Sequence, residues 1–158
     1  MASTEALKKS NRTNSTPTRK GDEALTDTQA QWLYDYIRLL ADKMALKDWG
    51  FDIVTEEPQD PTFIACIMPV YGRKYAQIHV RGDLFTSNSE LQRHILVHEL
   101  VHCHTSQVQN WIDEIGKEGE ITAASYRAFR LHLEVGVDGL ADALAPFLLL
   151  PPSCPTLT

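Results

Sequence analysis

The chain has 158 residues, of which 43% are hydrophobic and 23% are charged. This composition is ordinary for a globular protein, and the length suffices for one domain that buries its own core. No stretch approaches the roughly 18 apolar residues that a membrane-spanning helix needs, so we expect no membrane segment. The formal net charge of −6 argues against broad binding to nucleic acid.

The two ends of the chain differ in composition from its middle. Residues 1–25 are polar and basic and lack the apolar region of a signal peptide, which predicts a disordered leader. Residues 151–158 contain three prolines and predict a flexible tail. We therefore expect a single domain over residues 26–150.

Cysteine usage bears on the cellular compartment. The three cysteines form no Cys-x-x-Cys pair; they are Cys66, Cys103 and Cys154. An odd number without such a pair favours free thiols in a reducing compartment over a disulfide framework. Together with the lack of a signal peptide, this predicts a cytoplasmic protein.

The first half of the chain predicts one helix followed by a small sheet. Residues 27–49 carry apolar side chains at helical spacing, after a Thr26-x-x-Gln29 capping-box pattern and before Gly50. Three β-rich runs follow at 51–55, 62–70 and 74–80, with turn residues between them. We expect a mostly antiparallel three-stranded sheet whose third strand turns Ala76, Ile78 and Val80 toward the core.

The second half predicts two helices. A second capping box, Ser87-x-x-Glu90, opens a helix that should continue to about residue 115. The last helix should cover about 121–144, and its Gly136 and Gly139 predict a close approach to the preceding helix, because each glycine weakens a helix. The whole pattern indicates an α+β fold with an N-terminal helix, the small sheet, an active-site helix and a C-terminal helix.

The penultimate helix contains a His-Glu-x-x-His motif. His98 and His102 are one helical turn apart and project from the same face, so both imidazoles can bind one metal ion. Glu99 adds a carboxylate that can take a proton from a zinc-activated water. The neighbouring positions from 95 to 103 are otherwise apolar, and burying these polar groups without partners would cost several kcal/mol. The motif predicts a hydrolytic Zn²⁺ site.

A catalytic zinc site needs one further protein ligand, and the last helix offers candidates. Glu134 is our choice because Asp138 follows it at one helical turn within an apolar stretch; His132 is a rival.

With Glu134-x-x-x-Asp138 after His98-Glu99-x-x-His102, the sequence resembles the gluzincins, a class of zinc peptidases. The resemblance implies a minimal zincin-like domain in which His98, His102 and Glu134 bind zinc, Glu99 is the catalytic base, and Asp138 hydrogen-bonds His98. It also implies that strand 74–80 forms the edge of the cleft and binds extended substrate by strand addition.

The resemblance does not identify the group that stabilises the transition state. Arg127 and Arg130 precede Glu134 by seven and four residues and therefore share its helix face. We select both as catalytic candidates, although an ion pair with Glu134 or Asp138 would explain them equally well.

These expectations describe a zinc metallopeptidase that acts on a peptide or protein. One alternative is an interaction or regulatory module in which zinc only joins two helices; such a closed site needs a fourth ligand such as Cys103 or His132. Another is a dedicated regulatory protease that cleaves a single partner protein.

Overall fold

The computed structural model describes residues 25–153. The elements follow one another as α1 (Asp27–Lys43), β1 (Gly50–Val54), β2 (Ala65–Pro69), β3 (Tyr75–Val80), α2 (Asp83–Thr86), α3 (Ser89–Lys117) and α4 (Ala123–Leu144), with a 3₁₀ turn at Ala145–Phe147. The α+β class and the three strands are confirmed. The predicted leader, except for its last residue, and the final five residues of the predicted tail lie outside the described residues.

The sheet has the strand order β1-β3-β2. β3 pairs with β2 antiparallel and with β1 parallel, so the sheet is mixed rather than mostly antiparallel. As predicted, Ala76, Ile78 and Val80 of β3 face the core and are almost fully buried.

The edge strand that packs against α3 is β2, which corrects the expectation that strand 74–80 forms the edge. β3 lies between the other two strands, so its backbone hydrogen-bonding groups are used on both sides. α3 packs against β2. The free edge of β2 therefore faces the site, and Pro69 lies in this strand because an edge position does not require every N–H.

Helix α1 supplies the largest part of the apolar core. The Thr26–Gln29 capping box is present, with each residue's side chain bonded to the other's backbone N–H. The helix ends at Lys43, six residues before the predicted end at residue 49. The early end is explained by Ala45, whose φ of 58° lies in the left-handed region and cannot continue a helix. Leu46 and Trp49 nevertheless remain buried against the core.

Helix α3 carries the His-Glu-x-x-His motif through the middle of the domain. Its N-cap is Asn88, whose side chain accepts a hydrogen bond from the Leu91 N–H; the predicted capping box one residue earlier is therefore wrong. The short α2, which the sequence did not predict, occupies the preceding residues. α3 buries Leu96, Val97 and Leu100 beside the motif. Within residues 25–153, no helix is apolar over enough of its length to cross a membrane.

Helix α4 is only lightly attached to the domain. Of its 22 residues, only Val137 and Ala141 are classed as buried. Gly136 and Gly139 do not mark a close approach to α3, because a Cβ added at either position would meet no atom within 4 Å. The predicted reason for these two glycines is wrong, and the structure offers no other.

The chain beyond α4 returns to α1 and α3 through its backbone. Arg93 donates a hydrogen bond to the Leu148 carbonyl, and Tyr36 donates one to the Leu149 carbonyl. The indole N–H of Trp32 donates to the carbonyl of Pro152. The packed part of the chain thus extends to the start of the predicted tail.

Candidate metal centre

The two motif histidines lie side by side on the inner face of α3. Their Nε2 atoms are 3.3 Å apart, and both side chains are largely buried. A helical spacing of four residues places the rings one turn apart on the same face. The sequence prediction that they can share one ion therefore agrees with their positions.

Glu134 reaches the same point from α4. Its Oε2 atom lies 3.5 Å from His102 Nε2 and 3.8 Å from His98 Nε2. Two ligand atoms at about 2.1 Å from one ion and at the tetrahedral angle are about 3.4 Å apart. The three donors are thus spaced as Zn²⁺ requires, and nitrogen and carboxylate oxygen are the ligands that it prefers.

The other candidate ligands do not join this cluster. His132 is exposed on α4, and Cys103 is buried in the apolar core. His104 contacts the Met44 carbonyl through Nε2 at 2.8 Å, beyond the end of α1. Among residues 25–153, the cluster contains three protein donors, which leaves the fourth tetrahedral position without a protein ligand.

Asp138 lies against His98, at the position that the resemblance implies. Its Oδ1 atom lies 2.9 Å from His98 Nδ1, the ring nitrogen opposite the one that faces the cluster. A carboxylate at this position holds the proton on Nδ1 and leaves Nε2 free to bind a metal ion.

Asp138→Asn is expected to weaken zinc binding by about ten- to a hundredfold, the usual effect of losing such a supporting carboxylate. The amide retains the shape of the side chain but not its charge. Competition with a zinc-sensitive dye would measure the dissociation constant. Asp142→Asn, one turn further along α4 and beside His94, is the matched control, and an equal effect of both substitutions would contradict the assignment.

Glu99 points from the adjoining face of α3 toward the sheet. The N–H of Ile67 in β2 donates a hydrogen bond of 2.8 Å to Glu99 Oε2. Burial raises the pKa of Glu99 to about 8, the Ile67 N–H opposes this shift, and the negative charge of Glu134 adds to it. Burial lowers the pKa of His102, although Glu134 acts in the opposite direction. A lower pKa favours the neutral imidazole, which is the form that binds metal.

If Glu99 is the catalytic base that the sequence predicts, Ile67→Pro should lower kcat about tenfold more than Ile67→Ala, because only proline removes the N–H that holds Glu99. Both variants lose the buried isoleucine side chain. The strand ladder tolerates proline here, since this N–H points away from β3 and Pro69 occupies the next equivalent position. Equal kcat values in the two variants, at equal zinc content, would show that the hydrogen bond does not position Glu99.

A groove of about 440 Å³ begins one helical turn from His102 and Glu134. The edge strand, the loop before it, α3 and α4 all line it; the principal residues are Pro58, Phe63, Met68, Asn110, Asp113 and Arg130. Cys66 also lines it, and its thiol pKa is raised by burial and then by the charges of Glu99 and Glu134. The groove thus lies beside the cluster, although His98, His102 and Glu134 are not among the residues that line it.

The two candidate arginines have different positions. Arg130 lines the groove, and its guanidinium lies 3.9 Å from Glu134 Oε1. Arg127 is exposed and is not part of the groove wall. Sequence reasoning missed Ile67, Phe63 and Met68; Pro69 within a β-rich run was the signal that marks an edge strand.

The assembled residues can bind a divalent ion, orient one of its ligands and place a carboxylate beside it. His98, His102, Glu134 and Asp138 meet as the sequence predicted, and Glu99 lies on the adjoining face of the same helix. Comparison of the chain with protein-family models, with curated proteins and with solved structures found no match.

Proposed function

We propose that this protein is a zinc-dependent metallopeptidase of a minimal gluzincin-like form. Zn²⁺ binds His98, His102 and Glu134, and Glu99 is the general base. The observation that carries the proposal is the spacing of 3.3 to 3.8 Å between the three donor atoms, which matches tetrahedral coordination. The absence of a fourth donor among the described residues supports a catalytic site over a closed structural one.

The residues around the ion have separate tasks. When bound, Zn²⁺ supplies a Lewis acid that acidifies water and polarises a carbonyl group. Glu99 takes the proton from the attacking water and returns it to the leaving amine. Asp138 holds the His98 ring in the orientation for metal binding, and the Ile67 N–H holds the Glu99 carboxylate.

The substrate backbone lies along the free edge of β2. In its antiparallel pairing with β3, the N–H and C=O groups of Ala65 and Ile67 and the C=O of Pro69 point outward. An extended peptide can pair with such an edge. The Ile67 N–H already donates to Glu99, so the outward groups left for the peptide are the Ile67 C=O, both groups of Ala65 and the Pro69 C=O, which lie next to the base.

Of the two arginines, only Arg130 lines the groove, so it is the one that can contact a bound substrate. In the alternative interaction module, zinc only joins two helices and needs Cys103 or His132 as a fourth ligand. Neither residue belongs to the cluster. Cys66 and Cys103 are free thiols, which supports a reducing compartment and hence the cytoplasm as the protein's location.

Removing and restoring the metal tests the proposed activity. Zinc-loaded protein is expected to cleave members of a peptide library, with new termini detected by mass spectrometry. Treatment with a zinc chelator should reduce cleavage to background, and adding back one equivalent of Zn²⁺ should restore it.

Cleavage that persists at the same rate after the metal is gone would contradict the proposal. Zinc-loaded protein that ignores the library but cuts one protein of a cell extract would instead favour a dedicated regulatory protease.

A further inference from the structure

The wall of the groove nearest the edge strand is apolar and accessible. Phe63 and Met68 are exposed by 51% and 48%, and Pro58 and Pro69 lie beside them. Large apolar side chains that line a concave surface favour a ligand that covers them, because this removes their surface from water. Met68 directly follows Ile67, whose N–H donates a hydrogen bond to Glu99. This wall therefore starts next to the proposed catalytic base.

Both acidic residues in the groove already accept hydrogen bonds. Asp60 Oδ1 accepts one from the Thr62 N–H at 2.9 Å and one from its hydroxyl at 2.7 Å. Asp113 accepts one from the Tyr126 hydroxyl at 2.8 Å. These carboxylates are therefore partly satisfied within the protein and have less to offer a cationic ligand.

Arg130, in contrast to these two carboxylates, is not hydrogen-bonded to any acidic atom of residues 25–153. It is the one lysine or arginine among the residues that line the groove, and its closest acidic atom in residues 25–153 is Glu134 Oε1 at 3.9 Å. This distance is too long for a hydrogen bond. A guanidinium has five N–H donors in a planar fork that matches a carboxylate, so Arg130 can bind a carboxylate of the ligand.

We propose that the groove selects peptides that carry a carboxylate, bound by Arg130, close to a large apolar side chain, held by Phe63 and Met68. This inference rests on the proposed function and names the substrate class of the same site. Arg130 precedes the proposed metal ligand Glu134 by one helical turn. Met68 is next in sequence to Ile67, whose N–H donates a hydrogen bond to Glu99. Both selected groups therefore lie within a residue or two of the bond that is cleaved.

Matched peptides test the acidic preference. Starting from the best-cleaved library sequence, the residue that faces Arg130 is varied between Glu, Gln and Lys. Wild-type protein is expected to show a kcat/KM at least about tenfold higher for Glu than for Gln, the gain typical of a charge-assisted hydrogen bond. Arg130→Gln should remove this difference by lowering the value for the Glu peptide alone, and Arg130→Glu should shift the preference to Lys.

One control and two further test variants accompany these substitutions. Arg73→Gln removes the same kind of charge from the exposed turn between β2 and β3, outside the groove wall, and should leave the preference unchanged. Met68→Ala and Phe63→Ala alter exposed side chains, so the fold should persist. Each should lower kcat/KM about tenfold for a peptide with Leu at the apolar position, but not for one with Ala.

An equal loss for the Glu and Gln peptides in Arg130→Gln would overturn the proposed selection and assign Arg130 to the transition state instead. If wild-type protein cleaves neither a library peptide nor a protein of a cell extract, the metallopeptidase assignment fails, but the groove can still be tested by fluorescence anisotropy. Labelled Glu and Gln octapeptides should then bind the zinc-loaded protein with different affinities, and equal affinities would overturn the selection as well.

Discussion

Glu99→Gln is expected to lower kcat by about a hundred- to ten-thousandfold while the protein keeps its zinc. Glutamine has nearly the same shape as glutamate, and its amide oxygen can still accept the Ile67 N–H that is 2.8 Å from the carboxylate. It cannot take a proton from water at neutral pH. The effect should therefore appear in kcat at saturating peptide, with zinc content measured on the same preparation by atomic emission.

Glu118→Gln is the control for this variant. Glu118 caps the C-terminal end of the same helix and is exposed, so its loss should leave both kcat and zinc content unchanged. Full hydrolytic activity in zinc-loaded Glu99→Gln would show that another group is the base. A simultaneous loss of zinc would indicate that Glu99 contributes to metal binding, which the cluster of three donors does not predict.

Alanine substitutions of His98, His102 and Glu134 are each expected to weaken zinc binding by about a hundredfold or more. Structural zinc sites bind with about 10 to 16 kcal/mol over four ligands, or about 3 kcal/mol for each ligand. The loss should abolish hydrolysis at low zinc concentrations. Calorimetric titration with Zn²⁺ measures both affinity and stoichiometry, and one ion per chain is expected for the unaltered protein.

The sharpest comparison in this series is between Glu134→Ala and His132→Ala. His132 lies two residues earlier on α4 and is exposed, whereas Glu134 Oε2 lies within 3.8 Å of both histidines. His132→Ala should therefore retain wild-type affinity. If zinc binding is retained in Glu134→Ala and lost in His132→Ala, the third ligand is His132 and not Glu134.

Each half of the cluster was predictable because its members are related by helical spacing, whereas the meeting of the two halves was implied only by the resemblance to the gluzincins. His98 with His102, and Glu134 with Asp138, are each one turn apart, and a helix converts that interval into a shared face. The side-chain pattern also identified the strands and the core face of β3. Local periodicity is sufficient for such features because they depend on a few neighbouring residues.

The substrate side of the site was less predictable because it depends on contacts between distant segments. The order of the strands, the parallel pairing of β1 with β3, and the bond from Ile67 to Glu99 join residues that are far apart in the sequence. Helical spacing also places Arg127 and Arg130 on the same face of α4, so spacing could not show which of them lines the groove. Only the position of the groove distinguishes them.

The light attachment of α4 has a consequence for the folding of the protein. With only Val137 and Ala141 buried, this helix gains little hydrophobic stabilisation from the domain, yet it supplies Glu134 and Asp138. In the proposed zinc complex, part of the metal's binding free energy is the free energy of docking α4 onto α3. Metal affinity and helix docking are coupled, so apolar substitutions at the α3–α4 contact would tune the zinc dissociation constant without touching a ligand.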